Sequence, residues 1–171
     1  MSVNDRRKQA GAAMVEMAVV LTLFLLLVFG IMEFAMAYFT WHRVAEGARD
    51  GLRYVIVSGP VTSDGELGLT CPGPDVVVPD CTDSNCLPLL EKIQRVAPFV
   101  QGSQVMVTYA CTNAGNPERP EALRIPEITV QVTDLEYMFA VPGIIGLGTS
   151  LDLPDVTVSR TGEDLFTSAG S

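Results

Sequence analysis

Two carboxylates stand where a chain rarely tolerates them. Glu16 and Glu33 are the only acidic side chains between Gly11 and Phe39, and the central part of that run, Met17–Met32, carries no charge. A carboxylate in an apolar medium demands a counter-charge, so each is a candidate for pairing. Gly11 precedes Glu16 by five residues and offers a peptide bond without side-chain obstruction. Cleavage after it would leave an α-amine on Ala12, about one helical turn from Glu16. That amine, its own or a neighbouring subunit's, is the natural partner.

The other reactive groups are four cysteines and one histidine. Cys71, Cys81, Cys86 and Cys111 all follow the apolar run, with 9, 4 and 24 residues between them. An even number confined to one side suggests two disulfides and an oxidising compartment. The irregular spacing, without a C-x-x-C, argues against structural zinc, and His42 lies beside the apolar run. No metal or cofactor is expected. Catalysis needs a positioned acid, base or nucleophile, and neither a G-x-S-x-G nor a phosphate loop is present, so no enzyme and no small-molecule substrate are expected. The spacing of Asp80, Asp83 and Glu91 matches no calcium loop.

These groups need elements to hold them. The apolar run with its flanks reaches the ~20 residues a helix needs to cross a bilayer, and it lacks the polar face of a soluble core helix. The expected division is a cytoplasmic leader over 1–11, a transmembrane helix over 12–40 and an extracytoplasmic domain over 41–171. From Thr40 onward 17 acidic residues face 8 basic ones, and the chain as a whole is at −9. Such a balance argues against nucleic acid, which demands clustered Lys and Arg. Basic residues near the two ends of the span tie at three each: Arg6, Arg7 and Lys8 against Arg43, Arg49 and Arg53. Orientation therefore rests on the cysteines, which place the C-terminal part outside the cytoplasm.

The helix need not stop at the membrane. Trp41, Val44, Ala45, Ala48, Leu52, Val55 and Ile56 recur at three- and four-residue spacings, giving an amphipathic stripe. A continuous helix is expected from about Ala12 to Ser58, ended by Gly59-Pro60 and roughly 70 Å long. Gly47 and Gly51 lie on one face of its second half, where they cost of order 1 kcal/mol each against Ala. Either another element approaches closely there or they are tolerated surface glycines. Gly30, with Ala18, Ala35 and Ala37, offers small residues for helix packing inside the membrane.

Beyond 59 the sequence reads as a loop to 83, with a short strand at Val76–Val78. A helix follows over 87–97, capped by Asp83 or Ser84 and with Pro88 in its first turn. Alternation predicts strands over Gln104–Cys111, Ile128–Thr133 and Val156–Val158. Asn113–Pro120 reads as a loop, Leu135–Leu147 as a packed apolar loop, and the end from Thr161 as a frayed tail. If the 87–97 helix folds back on the following strand, Cys86 approaches Cys111, which leaves Cys71 with Cys81. The expected fold is α+β. A long N-terminal helix, half transmembrane and half amphipathic, packs on a small, mostly antiparallel sheet with one extra helix, stabilised by disulfides.

A glycine at the end of a basic leader, a glutamate five residues on and a bilayer-length span together match the type IV prepilin processing signal. The segment Gly11–Val57 further resembles the TadE-like family of the tight-adherence (Flp) pilus systems. The matching motifs are Gly11 to Ala18, Phe29-Gly30-Ile31-Met32-Glu33-Phe34, Tyr38-Phe39, and Ala48-Arg49-Asp50-Gly51-Leu52-Arg53-Tyr54. Met17 departs from the usual aromatic, and Ala35-Met36 stand where the family often has Gly-Arg. The resemblance implies a pseudopilin or minor pilin, cut by a prepilin peptidase after Gly11 and used in building or priming the pilus. It carries Glu33 over as a family position, about 32 Å beyond Ala12 and near the far edge of the hydrocarbon. Implied partners are the inner membrane, the peptidase and other pilus-system subunits. The rival reading is a disulfide-bonded periplasmic domain without a pilus role, anchored or released at the A-x-A site Ala35-Met36-Ala37.

Overall fold

The structure, a computed structural model, describes residues 3–62, 74–111, 126–139 and 150–162, with side chains from Gly11 onward. Residues 63–73 of the expected loop, with Cys71, the expected loop Asn113–Pro120, most of 135–147 and the residues beyond Gly162 lie outside the described residues. Two compact units make up the chain: Met1–Tyr38 with Met138–Ser150, and Phe39–Tyr137 with Leu151–Ser171.

Helix α1 spans Val3–Val57. It begins nine residues earlier than the periodicity suggests, because no proline interrupts the leader and helix geometry tolerates its charged residues. Its C-terminus falls at the expected place. The Ser58 N–H reaches back to the Tyr54 carbonyl at 2.9 Å, and Gly59-Pro60 prevents a further turn.

In the first unit the α1 side chains from Gly11 to Met36 lie open, apart from half-buried Val28 and Glu33. Met14, Leu23, Phe24, Leu27 and Phe34 are each more than half exposed. A helix apolar all round and left open by the described residues fits lipid or other helices as its surroundings. By length and composition this helix is long and apolar enough to cross a membrane.

The second unit is α+β. Strands β1 (Val76–Val78), β2 (Val105–Cys111), β3 (Pro126–Val132) and β6 (Val156–Thr161) form one antiparallel sheet in the order β1-β2-β3-β6. Strands β4 (Glu136–Met138) and β5 (Ser150–Asp152) pair separately. Strand β4 occupies part of the stretch expected to be irregular. The period-two pattern decides which face turns inward: Val105, Val107 and Tyr109 of β2 and Ile128, Val130 and Val132 of β3 are all fully buried. Register aligns them, with Tyr109 opposite Ile128 and Val107 opposite Val130.

Helix α2 (Leu87–Val96) has Pro88 in its first turn as expected, but neither Asp83 nor Ser84 caps it. Cys86 is the N-cap, without a side-chain cap bond; the Cys86 and Leu87 N–H groups instead turn onto the Asp83 carbonyl. The core joins the α1 stripe (Val44, Ala48, Leu52, Val55) to Leu89 and Ile93 of α2 and to the inner face of the sheet.

The favoured disulfide pairing is overturned. Cys81 is bonded to Cys86, with Cα atoms 5.1 Å apart, and Cys111 is disulfide-bonded as well. Topology explains why Cys86 does not meet Cys111. Because β1 runs antiparallel to β2, the chain leaving β1 arrives at the start of β2, where the Cys81 N–H donates to the Gly102 carbonyl at 2.8 Å. Cys111 lies at the other end of β2, about 20 Å away along the strand. The Asp83–Cys86 turn meanwhile brings Cys86 back to Cys81.

Candidate functional site

Apart from the cysteines, the residues singled out as candidate sites lie on α1, and the structure separates most of them into two groups. Gly11, Glu16 and Gly30 form the open group. Glu16 is exposed, and a side chain at Gly11 or Gly30 would meet nothing within 4 Å. Ala12 is exposed beside Gly11, so the bond between them lies on an uncovered helix surface. Thr22, on the same stretch, turns its hydroxyl onto the Ala18 carbonyl at 2.8 Å, which removes its polarity from the helix exterior. Glu33 is half-buried and is not a free carboxylate.

Gly47 and Gly51 form the closed group. Both are buried under α2. A Cβ on Gly47 would sit 2.9 Å from the Ile93 carbonyl oxygen, and one on Gly51 would sit 2.7 Å from Leu89 Cδ1. The glycines let the two helices approach backbone to side chain. Helix α2 runs antiparallel to α1: Gly51 meets Leu89, Gly47 meets Ile93, and the Arg43 Nε–H donates to the Val96 carbonyl at 2.8 Å. That last bond gives a cation to the C-terminal end of α2, where orphan carbonyls and the helix dipole favour it.

Arg49 and Arg53 point away from this contact. Each has a neighbour one turn back, Glu46 at 3.3 Å and Asp50 at 3.7 Å, in exposed pairs of little energetic weight. With Leu52, Val158, Ser159 and Arg160 they line a groove of about 240 Å³ between α1 and β6. Three guanidinium groups thus gather on one groove of a chain whose net charge is −9. His42 is exposed, with its ring edge-on to Trp41 at 5.1 Å.

Residues 11–53 match the model of a known family, TadE-like protein. The matched segment begins at Gly11 and takes in Glu16, Gly30, Glu33, Gly47, Gly51 and both groove arginines of α1. It includes the open helix of the first unit and most of the helical spine of the second. A TadE-like segment of this kind supports a pilin-like protein of the Tad system in general. No curated protein and no solved structure matches the chain.

Some positioning residues left no readable signal in the sequence. Gly102 is one: its Cβ would lie 2.6 Å from the Cys81 carbonyl oxygen. Gln104 is another. Its side-chain oxygen accepts from the Gln101 N–H at 2.9 Å, while its amide donates to the Asp134 carbonyl at 2.7 Å. The latter contact lies beside the positive φ of 54° at Asp134, which an aspartate tolerates better than most residues. Tyr109 is the third. Its hydroxyl, fully buried, accepts from the Val61 N–H at 3.0 Å. Burial pushes its pKa from 10.0 up to about 12, against the opposing effect of that hydrogen bond.

Proposed function

We propose that this chain is a pseudopilin or minor pilin of a tight-adherence pilus system, processed after Gly11 and acting in assembly or priming of the fibre. The single observation that carries the reading is the TadE-like match over 11–53, falling on a helix whose apolar side chains from Met14 to Phe39 are almost all exposed. A subunit that works by helix association needs such a surface, with small residues where helices come close. Ala18, Gly30 and Ala35 supply them.

Processing exposes the α-amine of Ala12 about one turn from Glu16. The two charges neutralise each other, within one subunit or between neighbours, and this lowers the cost of holding Glu16 in hydrocarbon. The Cys81–Cys86 bond supports an oxidising compartment for the second unit, hence a periplasmic domain behind an inner-membrane helix. Partners are the prepilin peptidase and other subunits of the pilus system. The role is structural, and no catalytic step belongs to it.

The test is the N-terminal sequence of the protein purified from cells that also make the peptidase. A start at Ala12 is expected. A start at Tyr38 would replace this reading with a secreted domain released at Ala35-Met36-Ala37, and an unprocessed chain would remove the pilin-type maturation.

A further inference from the structure

Phe99 stands 60 residues from Phe39 in the sequence, yet the two rings share one cation. The Arg43 guanidinium carbon lies 5.9 Å from the ring centroid of Phe39 and 5.9 Å from that of Phe99. The same arginine is fixed by its bond to the Val96 carbonyl. Trp41, two positions before Arg43 on α1, is pinned by donation of its indole N–H to the Pro154 carbonyl at 3.0 Å. All of these groups belong to the second unit.

What needs an explanation is the exposure. Phe39 is 58% exposed and Phe99 is 44% exposed, although both rings are held in place. Phe99 sits in a tight turn after α2, where the Val100 N–H closes onto the Ala97 carbonyl; Ala97 and Val100 are buried while Pro98 and Phe99 face outward. The turn therefore presents an aromatic ring by construction. Its location is set by the antiparallel run of α2 along α1, which returns the chain from Leu89 beside Gly51 to Val96 beside Arg43. Arg43 comes only four residues after the last of the apolar run at Phe39.

Aromatic rings with a cation or polar tip prefer the headgroup layer of a bilayer. We infer that the Pro98–Phe99 turn, together with Phe39 and Trp41, rests in the phospholipid headgroup layer of the membrane that α1 crosses. The domain is then held on the bilayer at two points, the helix and a turn distant in sequence. The occupant is zwitterionic lipid rather than anionic lipid. Arg43 and Arg95 bring positive charge to this end, but Asp152 and Asp155 flank Pro154, and the chain carries −9 overall. The inference rests on the reading of α1 as a membrane span.

The full chain is reconstituted in phosphatidylcholine vesicles containing lipid spin-labelled at the headgroup or, for the mid-span Leu25 control, deep on the acyl chain. Trp41→Phe removes the native fluorophore, and one tryptophan is then introduced by Phe99→Trp, Leu25→Trp or Val57→Trp. Val57 is exposed and about 27 Å along α1 from Phe39. The F99W emission is expected to be quenched severalfold more than that of V57W. Equal quenching of F99W and V57W, with L25W strongly quenched, overturns the Phe99 contact and leaves the span standing. An unquenched L25W removes the span and the inference with it. A benzoylphenylalanine in place of Phe99, with Trp41 retained, gives an independent reading if the double variants do not fold. Photolysis is expected to yield a phospholipid adduct by mass spectrometry, and its absence overturns the contact.

Discussion

A Cβ placed on Gly47 would stand 2.9 Å from the carbonyl oxygen of Ile93. One turn later a Cβ on Gly51 would meet Leu89 Cδ1 at 2.7 Å and Ile93 Cγ1 at 2.9 Å. The difference between these contacts decides what each substitution does. Alanine gains about 1 kcal/mol of helix propensity at either site. At Gly47 it also collides with the backbone of α2, which cannot yield without moving the helix. At Gly51 the first obstacle is the end of a flexible leucine. Gly47→Ala is therefore expected to destabilise the folded domain by a net of about 1–2 kcal/mol, and Gly51→Ala by clearly less. Denaturant unfolding of the detergent-solubilised chain checks the ranking, and a Gly51→Ala variant that loses more stability than Gly47→Ala contradicts it.

Cys81 and Cys86 close a very short loop. In the chain-entropy account such a loop contributes about 2 kcal/mol. Peptide mapping without reductant is expected to recover Cys81 linked to Cys86, and Cys81→Ser with Cys86→Ser should lower stability by about that amount without changing the sheet. Recovery of a Cys86–Cys111 peptide would contradict the arrangement of β1 and β2 described above.

The buried Tyr109 hydroxyl gives the domain an alkaline limit. Its pKa is raised from 10.0 to about 12 in the folded chain, chiefly by burial. Below pH 10 the tyrosine is protonated in both folded and unfolded chains, so the favourable burial is fully present. As pH rises from 10 through 12 the unfolded chain ionises first, and about 2–3 kcal/mol of stability is lost over that window. Tyr109→Phe is expected to remove this component of the alkaline loss. It should also cost about 1–2 kcal/mol at neutral pH, because the Val61 N–H loses its buried acceptor. Unfolding curves from pH 8 to 12 for both chains measure the difference.

Gly11 and Glu16 are expected to act at different steps. A bulky residue at Gly11 should block processing, so that the precursor accumulates in the inner membrane. Glu16→Ala should leave processing largely intact and reduce piliation, since only the partner of the new α-amine is lost. Immunoblots of precursor and mature forms, read beside pilus yield, separate the two effects. Normal maturation of the Gly11 variant, or full piliation with Glu16→Ala, would sink the corresponding role.

Much of the fold was legible because it rests on local periodicity. The stripe from Trp41 to Ile56, the alternation in Val105–Tyr109 and Ile128–Val132, and the stop at Gly59-Pro60 each encode an element over a few residues. The start of α1 was less legible, because a polar leader without proline carries no stop signal. Asp83 and Ser84 carry capping side chains and read locally as the start of α2, but the N-cap is Cys86, which the turn that ties it to Cys81 puts in place.

By itself, the sequence determined the apolar helix, the spacing of Gly11 and Glu16 at the head of the apolar run, the TadE-like character of residues 11–53 and the α+β class. All of these reside in residue types at short, fixed spacings. Only the tertiary structure decided what covers Gly47 and Gly51, which cysteine meets Cys81, and that Phe99 shares Arg43 with Phe39. Those relationships depend on the antiparallel return of α2 along α1 and of β2 along β1. Such a return is set by burial summed over the whole core, and no short window of sequence contains that sum.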